Sequence, residues 1–371
     1  MFHTIITLAY IIPNIYVFLR LWHFINREYK IHYILIYILL VSIYPVSNIF
    51  SDGVTGFPAG NLKMIANYIL PFYLYLFLSV LLYDVLLILN LIVKIIPADK
   101  MKSTRYRAIS LSVIVFFSIA VVIAGIINFN TIQTSEYRIE IPGKSSKLNH
   151  LKVAFAADFH LKEETNVHFV ERFVKKIAII NPDVLLLGGD IVEGDREDEN
   201  MIVFEKLIRE INTRYGVFTV LGNHEYYAGE NNGSFFDKAD IKVLCDTILV
   251  IDSSFNLGGR YDSHFRTRKT IDVLMRSVTD SLPVILIDHR PTEIDQVSRT
   301  AADVQLSGHT HNGQMFPINL ITRREYELSW GYKKVSNTHF FVTSGIRLWG
   351  PPVRTTGKSE IMVIDIIFTG K

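Results

Sequence analysis

Four long apolar runs fill the first third of the chain, at residues 4–22, 32–50, 65–96 and 109–129. Each is close to or longer than the roughly 20 helical residues that cross a hydrocarbon layer. The pattern predicts four transmembrane helices within residues 1–130. The first run has no basic stretch before it and no small-residue cleavage site after it, so it reads as a retained helix rather than a signal peptide. Beyond residue 150 the pattern changes to short β-rich apolar runs. They alternate with helical spacing around 166–181, 200–213 and 291–300, which is the signature of a layered α/β domain. Residues 131–149 match neither pattern and read as a linker. The expected organisation is therefore an α-helical transmembrane region (1–130), a linker (131–149) and an α/β domain (150–371).

Charge sharpens this division. Residues 1–130 hold four acidic side chains (Glu28, Asp52, Asp84, Asp99) against nine Lys and Arg, whereas residues 131–371 hold 32 acidic and 29 basic ones. Basic residues cluster between the first and second runs (Arg20, Arg27, Lys30) and between the third and fourth (Lys94, Lys100, Lys102, Arg105, Arg107), while residues 51–64 carry only Lys63. The positive-inside rule then puts the first and third loops in the cytoplasm, and the N-terminus and everything after residue 130 on the extracytoplasmic side of the cell membrane. Asp84 is the one acid inside an apolar run. It reads as an ion-pair partner of the basic loops, against the alternative of a functional intramembrane carboxylate. A formal net charge of +2 argues against a nucleic-acid surface. The single cysteine, Cys245, excludes an intramolecular disulfide and reads as a small apolar residue.

The chemistry lies where the short runs stop. "LKVAFAADFH" (151–160), "PDVLLLGGD" (182–190), "GVFTVLGNHE" (216–225), "PVILIDHRP" (283–291) and "ADVQLSGHTH" (302–311) each begin as an apolar strand and finish in polar, metal-capable side chains. One such ending is more often a capped turn than a site. Five in succession, in a fold whose ligands gather at the carboxyl ends of strands, predict a single site. Its candidates are Asp158, His160, Asp190, Asn223, His224, His289, His309 and His311, with no thiol among them. Imidazoles with hard oxygen donors suit Mn, Fe or Zn, and the donors outnumber what one ion with an open position needs, so two divalent ions are expected. His309 and His311 would reach different ions if their segment is extended, since residues i and i+2 then point the same way.

The ordered blocks Asp-x-His, Gly-Gly-Asp, Gly-Asn-His-Glu, a lone His and Gly-His-Thr-His resemble the calcineurin-like metallophosphoesterase superfamily, over roughly residues 150–371. The resemblance implies two mixed β-sheets sandwiched between helices. It also implies that Asp158, His160 and His311 hold one ion, that Asn223, His289 and His309 hold the other, and that Asp190 bridges them. His224 falls on the family's catalytic histidine, and a hydroxide held between the ions would attack phosphorus in line. Glu193 and Glu225 are candidates to orient histidines. The "TSGIRLWGPPVRTTGKSEI" tail resembles the membrane-attached bacterial branch, where Arg347 and Arg354 would meet substrate phosphate. Asn312 stands where many relatives have glycine, a change that a left-handed Asn accommodates. The remaining histidines, His3, His23, His32, His150, His168, His264 and His339, read as structural or exposed.

The expected function is hydrolysis of a phosphate ester or pyrophosphate at a membrane, with a lipid-linked substrate among those the anchor admits. The alternative is a membrane transporter or sensor regulated by a metal-binding domain, which the lack of intramembrane charge beyond Asp84 and of a visible inverted repeat disfavours.

Overall fold

The computed structural model describes residues 2–51, 57–193, 199–228, 233–278 and 281–370, and all side chains among these except those of residues 2–8, 49–51, 57–60, 228 and 233. The His3 side chain and residues 52–56 of the second loop lie outside the described residues. The chain divides into two compact units, Met1–Ile127 with Gly350–Val353, and Asn128–Trp349 with Arg354–Lys371.

In the first unit the apolar runs are helices: α1 (Phe2–Trp22), α2 (Lys30–Ser51), α3 (Phe57–Val93) and, after the short α4 (Ala98–Lys102), α5 (Thr104–Asn130). Helices α2, α3 and α5 carry segments long and apolar enough to cross a membrane, and the described apolar part of α1, Ala9–Trp22, is shorter. Aromatic residues hold α1–α3 together through both faces of their chemistry. Tyr37 and Tyr73 are buried beside Leu76 and Val80. The hydroxyls of Tyr37, Tyr10 and Tyr33 donate to the carbonyls of Asn14 (2.8 Å), Val41 (2.6 Å) and Phe18 (2.9 Å), which removes the cost of burying an unpaired phenol. Asp84 accepts from Arg20 Nε at 2.8 Å, and from Arg20 Nη2 and the Tyr16 hydroxyl. Asp84 is thus an ion-pair partner, as its place beside the basic loops predicts.

The second unit contains two six-stranded mixed sheets. Its strands, in chain order, are β1 (Ile132–Pro142), β2 (His150–Ala156), β3 (Val184–Leu187), β4 (Val217–Thr219), β5 (Ile241–Val243), β6 (Thr247–Ile251), β7 (Phe255–Gly259), β8 (Val284–Ile287), β9 (Val304–Ser307), β10 (Gly331–Val335), β11 (Thr338–Val342) and β12 (Ser359–Thr369). One sheet runs β1-β12-β2-β3-β4-β5 and the other β10-β11-β9-β8-β7-β6. Alternation along β2 shows how the layers form. Val153 and Phe155 enter the core between the sheets with Leu186, Ile285, Ile287 and Leu306, while Ala154 and Ala156 face the opposite core with Leu185 and Leu187. That outer core is closed by Phe169, Phe173 and Ile177, spaced four residues apart on α6 (Val167–Ile180), and by Phe204 of α7 (Glu199–Arg209). Asn166 caps α6 by accepting the His168 N–H, and Asn181 ends it in left-handed backbone.

The stretch read as a linker is not one. Residues 132–142 form β1, which pairs in parallel with the whole length of β12, from Ile132 opposite Ser359 to Pro142 opposite Thr369. Tyr137, Ile139 and Ile141 alternate with exposed Glu136, Arg138 and Glu140, the period of an edge strand with one buried face. Cys245 is half-buried, and burial pushes its thiol up.

Candidate metal centre

All eight strand-end residues lie just beyond the carboxyl ends of five strands, three in one sheet and two in the other. Asp158 and His160 follow β2, Asp190 follows β3, and Asn223 and His224 follow β4 and open the one-turn helix α8 (Asn223–Ala228). His289 follows β8, and His309 and His311 follow β9. Asp158, His160, Asp190, His309 and His311 all take left-handed backbone, with φ between 46° and 70°. Such angles are uncommon outside glycine and are tolerated best by Asp, Asn and His, so their clustering marks backbone strained to aim side chains. The turns also interlock. A Cβ on Gly222 would collide with the Asp190 carboxylate, and one on Gly189, itself at φ 88°, would lie 2.8 Å from the Gly222 nitrogen and 2.9 Å from His289 Nδ1.

The side chains converge in groups. Asp158, His160 and His311 can each offer a donor atom within 4.8 Å of the others, as can Asp190, His289 and His309, and as can His160, Asp190 and His224. His160 Nε2 and His311 Nε2 face one another at 3.3 Å, while Asn223 Oδ1 and Asp190 Oδ2 each lie 3.2 Å from His289 Nε2. Two donors held at about 2.1 Å from one ion at tetrahedral or octahedral angles are about 3.0–3.4 Å apart, so these separations fit ligands of a shared ion. The far ring nitrogens have partners. His160 Nδ1 meets Glu193 Oε1 at 2.8 Å, His224 Nδ1 meets the same oxygen at 2.5 Å, and His289 Nδ1 donates to the Gly188 carbonyl at 2.7 Å. These contacts turn Nε2 of His160 and His289 toward the cluster, the arrangement expected of metal-ligating imidazoles.

Electrostatics point to a cation as well. Asp158 is fully buried, and burial pushes its carboxyl up even though His289 and His160 pull it down. Burial also pushes Asp190 up, but His289, His160 and His224 outweigh it and hold this carboxyl far below its usual range. His289 is the counterpart: burial pulls the imidazole down, while Asp190, Asp158 and Asp262 hold it well above its ordinary value. Buried negative charge here leans on protonated imidazole for balance, a role a divalent ion fills better. Burial meanwhile lowers His309 to about 3, assisted by His289 and Arg290, and it lowers His311 as well, so both carry the free lone pair that a ligand needs.

Several expectations change. His309 and His311 are not on an extended segment: Thr310 is helical, His311–Gly313 form a 3-10 turn and Asn312 is left-handed at φ 49°. The two imidazoles still enter different donor groups, but the turn directs them, not strand alternation. Arg354 is not at a substrate rim. It is completely buried and donates to the carbonyls of Ser344 (2.5 Å), Arg347 (2.7 Å) and Gly345 (3.2 Å), which clamps the tail from inside, and burial lowers it to about 10. Arg347 lies with its guanidinium 5.1 and 5.2 Å from the Phe129 and Phe169 ring centres. Glu193 does orient two histidines, as expected. Glu225 orients none: it is buried and accepts the N–H groups of Asp190 (2.9 Å), Ile191 (2.5 Å), Val192 (3.0 Å) and Gly222 (2.7 Å), tying the turns after β3 and β4 together.

His264, read as structural or exposed, belongs to the wall beside His224. Its Nδ1 contacts Asp262 (2.7 Å) and Arg290 (3.1 Å), its Nε2 meets the Tyr227 hydroxyl (3.0 Å), and the Tyr227 ring lies 5.9 Å from that of His224. Trp349 approaches His224 at 6.4 Å between ring centres. No strand-end pattern marks His264 or Trp349, because they come from connections between elements.

Comparison with known proteins agrees with this geometry. The sequence profile of calcineurin-like phosphoesterases matches residues 151–313. A Helicobacter pylori protein named as a metallophosphoesterase is 33% identical over 236 residues, covering 62% of this chain and 63% of that protein. This chain thus spans less than two thirds of that relative's length. An Aquifex aeolicus protein, also named a metallophosphoesterase, is 31% identical over 246 residues, covering 63% of this chain and 92% of that one. A Danio rerio protein named as a transmembrane protein with metallophosphoesterase domain is 26% identical over 242 residues, covering 60% and 55% of the two chains.

Proposed function

The chain belongs to the calcineurin-like metallophosphoesterases, and we propose that it hydrolyses a phosphate ester or pyrophosphate with two divalent ions held at its sheet ends. One observation carries this reading. The donor groups Asp158–His160–His311 and Asp190–His289–His309 share no member, yet Asp190 also lies in a group with His160 and His224. The first group would hold one ion and the second, with Asn223, the other, with Asp190 shared between them. Nitrogen and hard oxygen donors without thiolate suit Mn, Fe or Zn. Ions bound there neutralise phosphoryl charge and lower the pKa of water.

The chain's own residues do the rest. Glu193 holds His224 through Nδ1 and leaves Nε2 to protonate the leaving oxygen as the P–O bond breaks. Tyr227 and Trp349 flank that imidazole and form the wall a leaving group meets. The apolar helices support a substrate encountered at a membrane, phosphates and pyrophosphates on lipid carriers included, and the loop charges support an extracytoplasmic catalytic unit. Protection of that unit from added protease in spheroplasts would reverse the address.

Detergent-purified full-length protein, supplied with Mn and a panel of phosphomonoesters, phosphodiesters and lipid pyrophosphates, tests the activity. Wild type is expected to hydrolyse at least one class, with His224→Ala and Asp190→Ala slower by roughly a hundredfold or more. Product release from every substrate no faster than in these variants would overturn the reading.

A further inference from the structure

A cavity of about 1130 Å³ lies within the N-terminal unit. Its walls come from the end of α1, the connection to α2, the C-terminal half of α3, and α4 and α5. Four cations line it, Arg20, Arg27, Lys30 and Arg107, against one carboxylate, Asp84. That carboxylate is already engaged by Arg20 and Tyr16. Among the described residues Arg27 and Arg107 form no ion pair, and the Lys30 ammonium stands 4.3 Å over the Trp22 ring. The cavity therefore presents uncompensated positive charge. Its other wall is apolar: Ile88 and Leu91, one turn apart on α3, line it and are 60% and 70% exposed.

Basic loops orient membrane helices by charge alone. A cavity in which guanidinium forks face an apolar wall offers more, because it matches an amphiphile whose anionic head and hydrocarbon tail are adjacent. A soluble phosphate would use the cations and leave Ile88 and Leu91 in contact with nothing. We infer that this cavity binds a phospholipid with an anionic headgroup, its phosphate on Arg27, Arg107 and Lys30 and its acyl chains along α3.

Trp22 lines the cavity and reports on it. The chain has three tryptophans, so Trp330→Phe with Trp349→Phe leaves Trp22 as the sole fluorophore. This full-length protein, in detergent micelles, is titrated with phosphatidylglycerol or phosphatidylcholine carrying brominated acyl chains, which quench a tryptophan they touch. Phosphatidylglycerol is expected to quench at a several-fold lower mole fraction. Arg27→Gln with Arg107→Gln should reduce that preference at least about fivefold, since each basic residue adds separately to the attraction for an anionic lipid surface. Both arginines are exposed, so the helices persist. Lys102→Gln with Arg105→Gln, in the same basic loop but outside the cavity wall, should leave the preference unchanged. Equal quenching by the two lipids would overturn the proposal, as would an equal loss in the Lys102/Arg105 pair, which would indicate a diffuse field. Displacement of the lipid by millimolar soluble glycerol phosphate would reassign the cavity to a free phosphate and overturn it too.

Discussion

Glu193 and Glu225 show what single residues do that a motif cannot reveal. Both follow metal-capable blocks in the sequence, yet one meets two imidazoles and the other four backbone N–H groups. That difference depends on which turn folds over which, and no spacing encodes it. The eight strand-end residues, by contrast, were legible because each follows closely on the end of an apolar strand. Arg347 and Arg354 were not, since a guanidinium drawn inward to carbonyls and rings has the same one-letter signature as one facing a substrate. Glu193→Gln keeps the size of the side chain and removes the charged acceptor for His160 and His224. It should lower kcat and metal affinity by roughly 10–100-fold, as losses behind a metal ligand usually do, while leaving the fold intact. Steady-state kinetics with metal titration checks this; unchanged values in both would mean that Glu193 only packs.

Among the elements, the strands that end in the site were readable from their apolar runs, and β1 was not. Its period-2 signal is confined to Tyr137, Ile139 and Ile141, and its partner β12 lies more than 200 residues away. A linker reading predicts that truncating Ile141 changes stability by less than about 0.5 kcal/mol. Burial of Ile141 at 1% exposure predicts instead a loss of about 2–4 kcal/mol for Ile141→Ala, measured by denaturant unfolding of the C-terminal unit's tryptophan signal. Glu293, the N-cap of the short helix α9 (Ile294–Ser298), accepts from buried Arg260 at 2.6 Å. Burial raises the Glu293 carboxyl, but Arg260 and Arg268 prevail and hold it below its ordinary 4.5. A depressed folded pKa gives stability that is present above the unfolded value and lost as pH falls through the folded one. Acid unfolding curves should therefore steepen below about pH 4.5 in wild type, and Glu293→Gln should flatten that limb.

At the scale of the whole molecule, the two-part division was plain from hydropathy and charge, and the site was plain as a convergence of strand ends. That the convergence draws on two sheets, with Asp158, Asp190 and Asn223 from one and His289, His309 and His311 from the other, is a property of the sandwich and not of any segment. The central claim is that this convergence holds two ions. Metal content per chain, measured by mass spectrometry after equilibration with Mn and removal of free ion, tests it most directly. Two ions per chain are expected in wild type, about one in His311→Ala and about one in His309→Ala, and neither held firmly in Asp190→Asn. Wild type holding at most one ion, or all three variants retaining the wild-type content, would contradict the account.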